Sequence, residues 1–248
     1  MTATGETYRD LERRWKGLRA THDLQVREVA CVGAPRTMLC VEFGDSTLPS
    51  VAIATGVHGD EPAGPWALLE LVETRSLDAR FAYRLWPCTN PTGFNARTRE
   101  SADGCDVNRT FGRGGGSPEA KAMLAANRDR AFLLSLDLHE DRDASGFYCY
   151  EYGDGEIGRP VLDALGRAGF PLDPLEDGWI RADAREEARR LGSLSYTLAI
   201  ARRAARYALT FETPSTAAWD ARLAMHSLAV RAALSSAALR IPSAGRVT

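Results

Sequence analysis

The chain is nearly devoid of lysine. Lys16 and Lys121 stand alone among 31 basic residues, and the rest are arginine. Genomic codon bias accounts for such a skew, so an arginine here is informative by its position and not by its abundance. An excess of one charge is also missing. The formal net charge is -2 over 248 residues, which argues against bulk nucleic-acid binding. No apolar stretch is long enough to span a bilayer, and the first six residues carry no basic-then-apolar leader. The five cysteines (Cys31, Cys40, Cys88, Cys105 and Cys149) are odd in number and lack the Cys-x-x-Cys spacing of a thiolate zinc site. Reduced thiols in a cytoplasmic protein are the expectation. Internal repeats and long low-complexity linkers are absent too. With 44% hydrophobic and 26% charged residues, 1–248 is expected to form one large soluble domain.

What the chain does have is strand-like and helix-like segments in alternation. Thr7 to Arg19 reads as a surface helix. Leu24 to Val32 and Thr37 to Phe43 read as two strands joined by the turn Gly33-Ala34-Pro35-Arg36. Val51 to Thr55 is a short apolar strand. Pro62 to Glu73 follows as a helix, with Ala63, Trp66, Leu69 and Val72 spaced for one buried face. Phe81 to Trp86 is a strand, and residues 87 to 117 form a long loop rich in Gly, Asn and Arg. A loop of that length inside a compact domain is usually functional. A helix from Ser117 to about Arg130 precedes strands at Phe132 to Leu138 and Gly146 to Tyr152, set around the turn Asp141-Arg142-Asp143. Ile157 to Ala168 and Ser193 to Ala205 read as helices, Tyr207 to Glu212 as a last strand, and Ala217 to Leu239 as a closing helix. This pattern predicts an α/β layered fold, and the opening hairpin makes the sheet mixed.

His58, Asn90, His139 and Glu212 each fall at or just after the C-terminal end of a predicted strand, where the active groups of such sheets gather. His58 and Glu61 are three apart in Gly56-Val57-His58-Gly59-Asp60-Glu61, and His139 closes a later apolar strand. Two imidazoles and one carboxylate form a three-ligand site of the catalytic zinc type, with the fourth position left for water. Alone, His58 and Glu61 also fit a helix-cap carboxylate beside an incidental histidine. Glu212 strengthens the metal reading, because a carboxylate ending an apolar strand is poorly explained by packing. Glu212 is assigned as the general base and acid, and Glu140 is the competitor. Neighbours in a strand point to opposite faces, so Glu140 should face away from the metal, while Asp137 can share the face of His139.

The loop after Trp86 carries Asn90-Pro91-Thr92-Gly93, Arg97, Arg99 and Asp106-Val107-Asn108-Arg109. Guanidinium groups bind carboxylates through paired hydrogen bonds and can stabilise a developing oxyanion. Asp106 could orient a ligand histidine. Ordinary solvated charge remains the competing account of these arginines, of Arg97 above all.

The ordered series His58-Gly-Asp-Glu61, Asn90-Pro-Thr-Gly93, Arg99, Asp106-Val-Asn108-Arg109, Asp137-Leu-His139 and Thr210-Phe-Glu212-Thr213 resembles the zinc carboxypeptidase superfamily. That superfamily includes the aspartoacylase and succinylglutamate desuccinylase deacylases. The resemblance covers residues 51 to 213. It implies a mixed eight-stranded sheet flanked by helices, and one zinc per chain held by His58, Glu61 and His139. It implies Glu212 as base and acid, Arg99 polarising the scissile carbonyl, Asn108 and Arg109 gripping a substrate carboxylate, and Asp106 orienting His58. Tyr196 is the counterpart considered for the mobile-loop tyrosine of the peptidases. The deacylases usually carry a β-rich domain after the catalytic glutamate, whereas residues 213–248 here are mostly helix-like.

The expected function is therefore a zinc-dependent hydrolase cleaving an amide bond next to a free carboxylate. Carboxypeptidase or peptide amidase comes first and N-acyl amino acid deacylase second. A non-catalytic carboxylate-binding member is the third reading, disfavoured because both the metal triad and Glu212 are present. The expected partner is a small peptide or N-acyl amino acid, with neither nucleic acid nor membrane.

Overall fold

Period-two alternation builds the centre of this fold. In a computed structural model, residues 6–112, 116–153 and 155–241 are described. The strands are β1 (Gln25–Val29), β2 (Met38–Phe43), β3 (Ser50–Thr55), β4 (Ala82–Trp86), β5 (Phe132–Asp141), β6 (Tyr148–Gly153), β7 (Trp179–Ala182) and β8 (Ala205–Pro214). They join in one eight-stranded mixed sheet of order β1-β2-β4-β3-β5-β8-β6-β7. β4, β3, β5 and β8 run parallel in the middle, while β2 and β6 run against them on either side. On β5, Leu134, Leu136 and Leu138 enter one apolar core; on β8, Tyr207, Leu209 and Phe211 join them. Side chains alternate across a strand, so Asp137 and His139 of β5 face the opposite side, as do Thr210 and Glu212 of β8. His139 stands directly beside Glu212 in the strand pairing.

The helices are α1 (Tyr8–Gly17), α2 (Ala63–Glu73), α3 (Pro91–Ala96), α4 (Pro118–Ala126), α5 (Gly158–Arg167), α6 (Ala184–Leu191), α7 (Tyr196–Ala201) and α8 (Trp219–Ala238). The first core takes residues from α1, α2, α5 and α8, and the second from α4 and α7. α1 is capped by Thr7, whose side chain and Asp10 bond reciprocally across the first turn. It is less a surface helix than expected, because Tyr8, Leu11 and Trp15 are buried.

Several expectations need correction. α2 buries nine residues, from Ala63 to Val72, and not a single face, because it lies between the sheet and α8. Gly64 marks that closeness: a Cβ there would stand 3.1 Å from the Leu138 carbonyl oxygen. The stretch 87–117 is not structureless, since α3 and a 3-10 turn over Val107–Arg109 form within it; residues 113–115 lie outside the described residues. β5 runs three residues beyond its predicted end and β8 two, so His139 and Glu212 sit inside strands rather than at their tips. β5 and β6 do not pair; β8 is inserted between them. The helix expected over 193–205 is reduced to α7, and residues 205–206 belong to β8. β7 and α6 have no counterpart in the sequence reading.

Glu140 ties the layers together. Its Oε1 accepts the Ala63 backbone N–H at 2.7 Å, capping α2, and its Oε2 meets Arg222 Nη1 of α8 at 2.5 Å. This carboxylate does point away from His139, as strand alternation requires. Glu140→Ala should cost about 3 kcal/mol, since it strands a largely buried guanidinium and an unpaired helix N–H. Urea unfolding of Glu140→Ala and of Glu140→Ala/Arg222→Ala checks this. The double variant should lose less than the sum of its singles. A loss below about 1 kcal/mol, typical of exposed pairs, would remove Glu140 from any structural role.

Candidate active site

The turn after β3 carries His58 and Glu61, and its position depends on a glycine. A Cβ on Gly59 would stand 1.9 Å from the Gly93 carbonyl carbon, so only glycine lets this turn lie flush against the start of α3. Asn90 caps α3, its Oδ1 accepting the Gly93 N–H at 2.9 Å. The spacing of three between His58 and Glu61 falls in a turn and not in a helix. Glu61 precedes α2 and does not cap it, a task taken by Glu140.

Glu61 sits between two imidazoles. Its Oε1 is 2.6 Å from His58 Nδ1, and its Oε2 is 2.7 Å from His139 Nδ1. The same Oε2 accepts the Glu140 backbone N–H at 3.1 Å. All three residues are buried, and their donor atoms lie within 4.8 Å of one another. Each histidine is held from behind. His58 Nε2 is 3.3 Å from Asp106 Oδ1, and His139 Nε2 is 3.1 Å from Asp137 Oδ2. A carboxylate behind each ligand imidazole fixes the ring and leaves the other nitrogen for a metal. The donor set and its backing thus fit a divalent metal ion of the zinc type.

The electrostatics agree with a site made for a cation. Burial alone would raise the Glu61 carboxyl, but the charges and hydrogen bonds of His139 and His58 outweigh it and hold the group below the ordinary carboxylate value. Burial works to raise Asp106 as well, and His58 and Arg99 reverse it to well below the usual range. For His139 burial favours the neutral ring, yet Asp137 and Glu61 hold its proton well above the ordinary value. A metal ion must displace that proton to bind.

Arg99 closes over the same centre. Its Nη1 lies 3.2 Å from His58 Nδ1, and its Nε donates to Asp106 Oδ2 at 3.1 Å. The loop returns ten residues later with Arg109, as both arginines facing one cavity requires. A tight turn does this: Gly104, at φ 75°, donates to Ser101, and Ser101 N–H donates to the Cys105 carbonyl. Arg97 goes elsewhere, donating to the Glu6 carbonyl and lying over the Phe94 ring. Asn108 is held by its own neighbours. Its Oδ1 accepts the Tyr196 N–H at 2.9 Å, and its Nδ2 is 3.3 Å from His139 Nε2. Arg109 is exposed at the cavity wall.

Glu212 completes the cavity of about 470 Å³ that contains His58, Glu61, Arg99, Asn108, Arg109 and His139. Burial pushes its carboxyl above the ordinary value; His139 opposes the shift, and Glu61 adds to it. Tyr196 does not line this cavity. It is fully buried, within hydrogen-bond reach of Ser135 and edge-on to Phe111, which rules it out as a mobile-loop tyrosine. The tyrosines that do line the cavity are Tyr148, Tyr150 and Tyr152, on one face of β6. Their spacing of two in a predicted strand was the available signal. Glu187 and Arg190, on α6, also line it and carried no such signal.

A family model described as the succinylglutamate desuccinylase/aspartoacylase catalytic domain matches residues 47–172, a stretch that contains the three candidate metal ligands but ends before Glu212. A candidate metallopeptidase from Shewanella denitrificans is similar in structure, with a TM-score of 0.78 and 25% identity, over 93% of this chain and 90% of that one. A metallo-carboxypeptidase from Burkholderia cenocepacia shares the fold at a TM-score of 0.67 and 18% identity, over 94% of this chain and 69% of that one. Carboxypeptidase SOL1 of Arabidopsis thaliana is 30% identical over 111 residues, which are 37% of this chain and 23% of the plant protein. The match therefore spans less than a quarter of that relative's length. No helix among the described residues is long and apolar enough to cross a membrane.

The donor set predicts about one zinc per chain after loading, and loss of most of it in His139→Ala. Asp137→Asn should retain the site but weaken it roughly 10- to 100-fold. Affinity should fall as pH is lowered, because the His139 proton then competes with the metal. Elemental analysis and a competitive chelator titration measure all three. Full zinc in His139→Ala would remove that residue from the site.

Proposed function

Because the chain belongs to the succinylglutamate desuccinylase/aspartoacylase catalytic-domain family, within the zinc carboxypeptidase-like superfamily, we propose that it is a zinc-dependent hydrolase cleaving an amide bond next to a free carboxylate. One observation carries the reading. Glu212, with a raised carboxyl, shares a cavity with a His-Glu-His donor set and two arginines.

His58, Glu61 and His139 would hold the metal, with Asp106 and Asp137 fixing the two rings. Zinc, when bound, makes a water a ready nucleophile near neutral pH and polarises a carbonyl. Its charge would also draw the raised Glu212 carboxyl back toward ionisation. Glu212 then takes the proton from water at its carboxylate and delivers it to the leaving nitrogen. Arg99, within reach of His58, meets the charge that develops on the carbonyl oxygen. Arg109, with the free hydrogen of the Asn108 amide, holds the substrate carboxylate.

Carboxypeptidase activity is the first choice. The wall of three tyrosines offers an amphipathic surface to a peptide residue, and the cavity has the volume of a small-ligand pocket. N-acyl amino acid deacylation is the second reading, favoured by the family model over 47–172, and it uses the same groups. The five unpaired cysteines suit a reducing compartment, so we place the protein in the cytoplasm.

A turnover screen of zinc-loaded protein against free-acid dipeptides, their C-terminal amides and N-acetyl amino acids separates the readings. Peptidase activity requires acid dipeptides to be preferred over both other classes. Amides cleaved as well as acids would overturn the carboxylate clamp.

Two sets of variants test the roles. Glu212→Gln should keep zinc while kcat falls on the order of a hundredfold or more. Near-normal turnover there, with Glu140→Gln inactive, would mean that the wrong carboxylate has been chosen. Arg109→Ala should mainly raise KM and lose the acid-over-amide preference. Arg99→Ala should keep that preference and lose about 3 kcal/mol in kcat.

A further inference from the structure

A second cavity, of about 760 Å³, adjoins the first. Five of its lining side chains are arginines: Arg109, Arg185, Arg189, Arg202 and Arg203. None of its described lining residues is acidic. The chain as a whole has a net charge of -2, so this concentration of positive charge is local.

The fold brings these groups together from three directions. α6 presents two faces. Glu187, Arg190 and Leu191 line the first cavity, while Arg185, Ala188 and Arg189 line the second. Each set has the spacing of one helical stripe, so α6 is a partition between the two hollows. Arg202 and Arg203 come from the C-terminal end of α7, and Arg109 from the loop that also reaches the candidate active site. Thr110 bridges to Leu194, and the Phe111 N–H donates to the Leu194 carbonyl at 3.1 Å, fastening that loop beside the chain between α6 and α7.

Ordinary surface chemistry accounts for part of this only. Cations are favoured at a helix C-terminus, which explains Arg202 by itself. It does not explain why the stripe on α6 faces the same hollow. Some exposed arginines elsewhere have carboxylate partners, as in Arg13–Asp10, Arg14–Glu73 and Arg80–Asp78, while others, such as Arg167 and Arg231, form no ion pair among the described residues; what sets the second cavity apart is that five arginines converge on one hollow. Among the described residues no ion pair is formed by Arg185, Arg189, Arg202 or Arg203. Asp183 feels the charge of Arg185 and Arg189, but its carboxylate is engaged by the Arg185 and Glu186 backbone N–H groups as the cap of α6.

We propose that this cavity is a binding site for a small polyanion carrying two or more phosphate or carboxylate groups. Guanidinium groups bind both through paired, charge-assisted hydrogen bonds. The volume suits a compact ligand. Among the described lining residues there is no aromatic ring on which a base could stack, so the recognised part is the anionic groups themselves. The proposal does not depend on the reaction proposed above, although Arg109 borders both cavities.

Calorimetric titration of the full chain with inorganic tripolyphosphate and, separately, with citrate tests it. The expected result is saturable one-to-one binding of at least one probe, weakening as salt is added. Preference for tripolyphosphate or for citrate identifies the phosphate or carboxylate source. Arg189→Ala/Arg203→Ala should weaken binding about tenfold or more, while Arg167→Ala/Arg231→Ala, at exposed positions outside both cavities, should leave it unchanged. All four residues are exposed, so the fold should tolerate the changes. Either probe can also draw zinc, so zinc content is measured after each titration. Heat that persists undiminished in Arg189→Ala/Arg203→Ala belongs to chelation or to the first cavity and overturns the proposal. Equal losses in both double variants, or no binding of either probe, overturn it as well.

Discussion

One carboxylate organises the candidate site. Glu61 lies between the Nδ1 atoms of His58 and His139 and also accepts the backbone N–H of Glu140. It therefore joins the turn after β3 to the middle of the sheet. Buried carboxylates are costly unless paired, and this one has partners on both oxygens. The neighbouring charges follow from it. Asp106 and Asp137 stand behind the two rings, and Arg99 closes over the nearer one. With two imidazoles directed at one carboxylate and a carboxylate behind each, the local chemistry favours a bound cation.

The sheet makes that arrangement possible by separating two duties along the same strands. β5 sends three leucines into one core while Asp137 and His139 face the other way. β8 does the same with Tyr207, Leu209 and Phe211 against Thr210 and Glu212. A shift of one residue in either strand would exchange apolar and polar faces, so the hydrophobic core itself enforces the pairing of His139 with Glu212. Stability and site geometry rest on the same register. Glu140, next to His139 but on the opposite face, caps α2 and anchors α8 through Arg222.

The α6 segment shows how a short helix can serve two cavities. One stripe faces the donors and the tyrosines of β6, and the next faces the cluster of arginines. Neither stripe is apolar, which is why hydrophobic periodicity gave no helix there. The three tyrosines of β6 were visible as residues, but their common direction matters only because β8 lies beside β6 and brings Glu212 to the same wall. Tyr196 is the converse case. The sequence offers it only as the counterpart of the peptidases' mobile-loop tyrosine, yet its ring packs in the core against Phe111.

The sequence by itself determined every strand but β7, the alternation within them and the residue types of the candidate site. Local patterns carry these, because burial at period two or 3.6 leaves a mark on adjacent residues. His58, Glu61, Asp106, His139 and Glu212 could be named from strand ends, short spacings and the order of motifs that carries the resemblance, and the mixed character of the sheet from the opening hairpin, before any contact was known. Only the tertiary structure decided the strand order, with β8 between β5 and β6. It also decided that α2 is buried nearly all round, that Glu140 and not Glu61 caps it, and which arginines converge on which hollow. Those outcomes depend on contacts between segments far apart in the chain, such as Glu140 with Arg222, or Arg109 with the wall formed by α6. No single stretch of sequence holds both partners of such a contact.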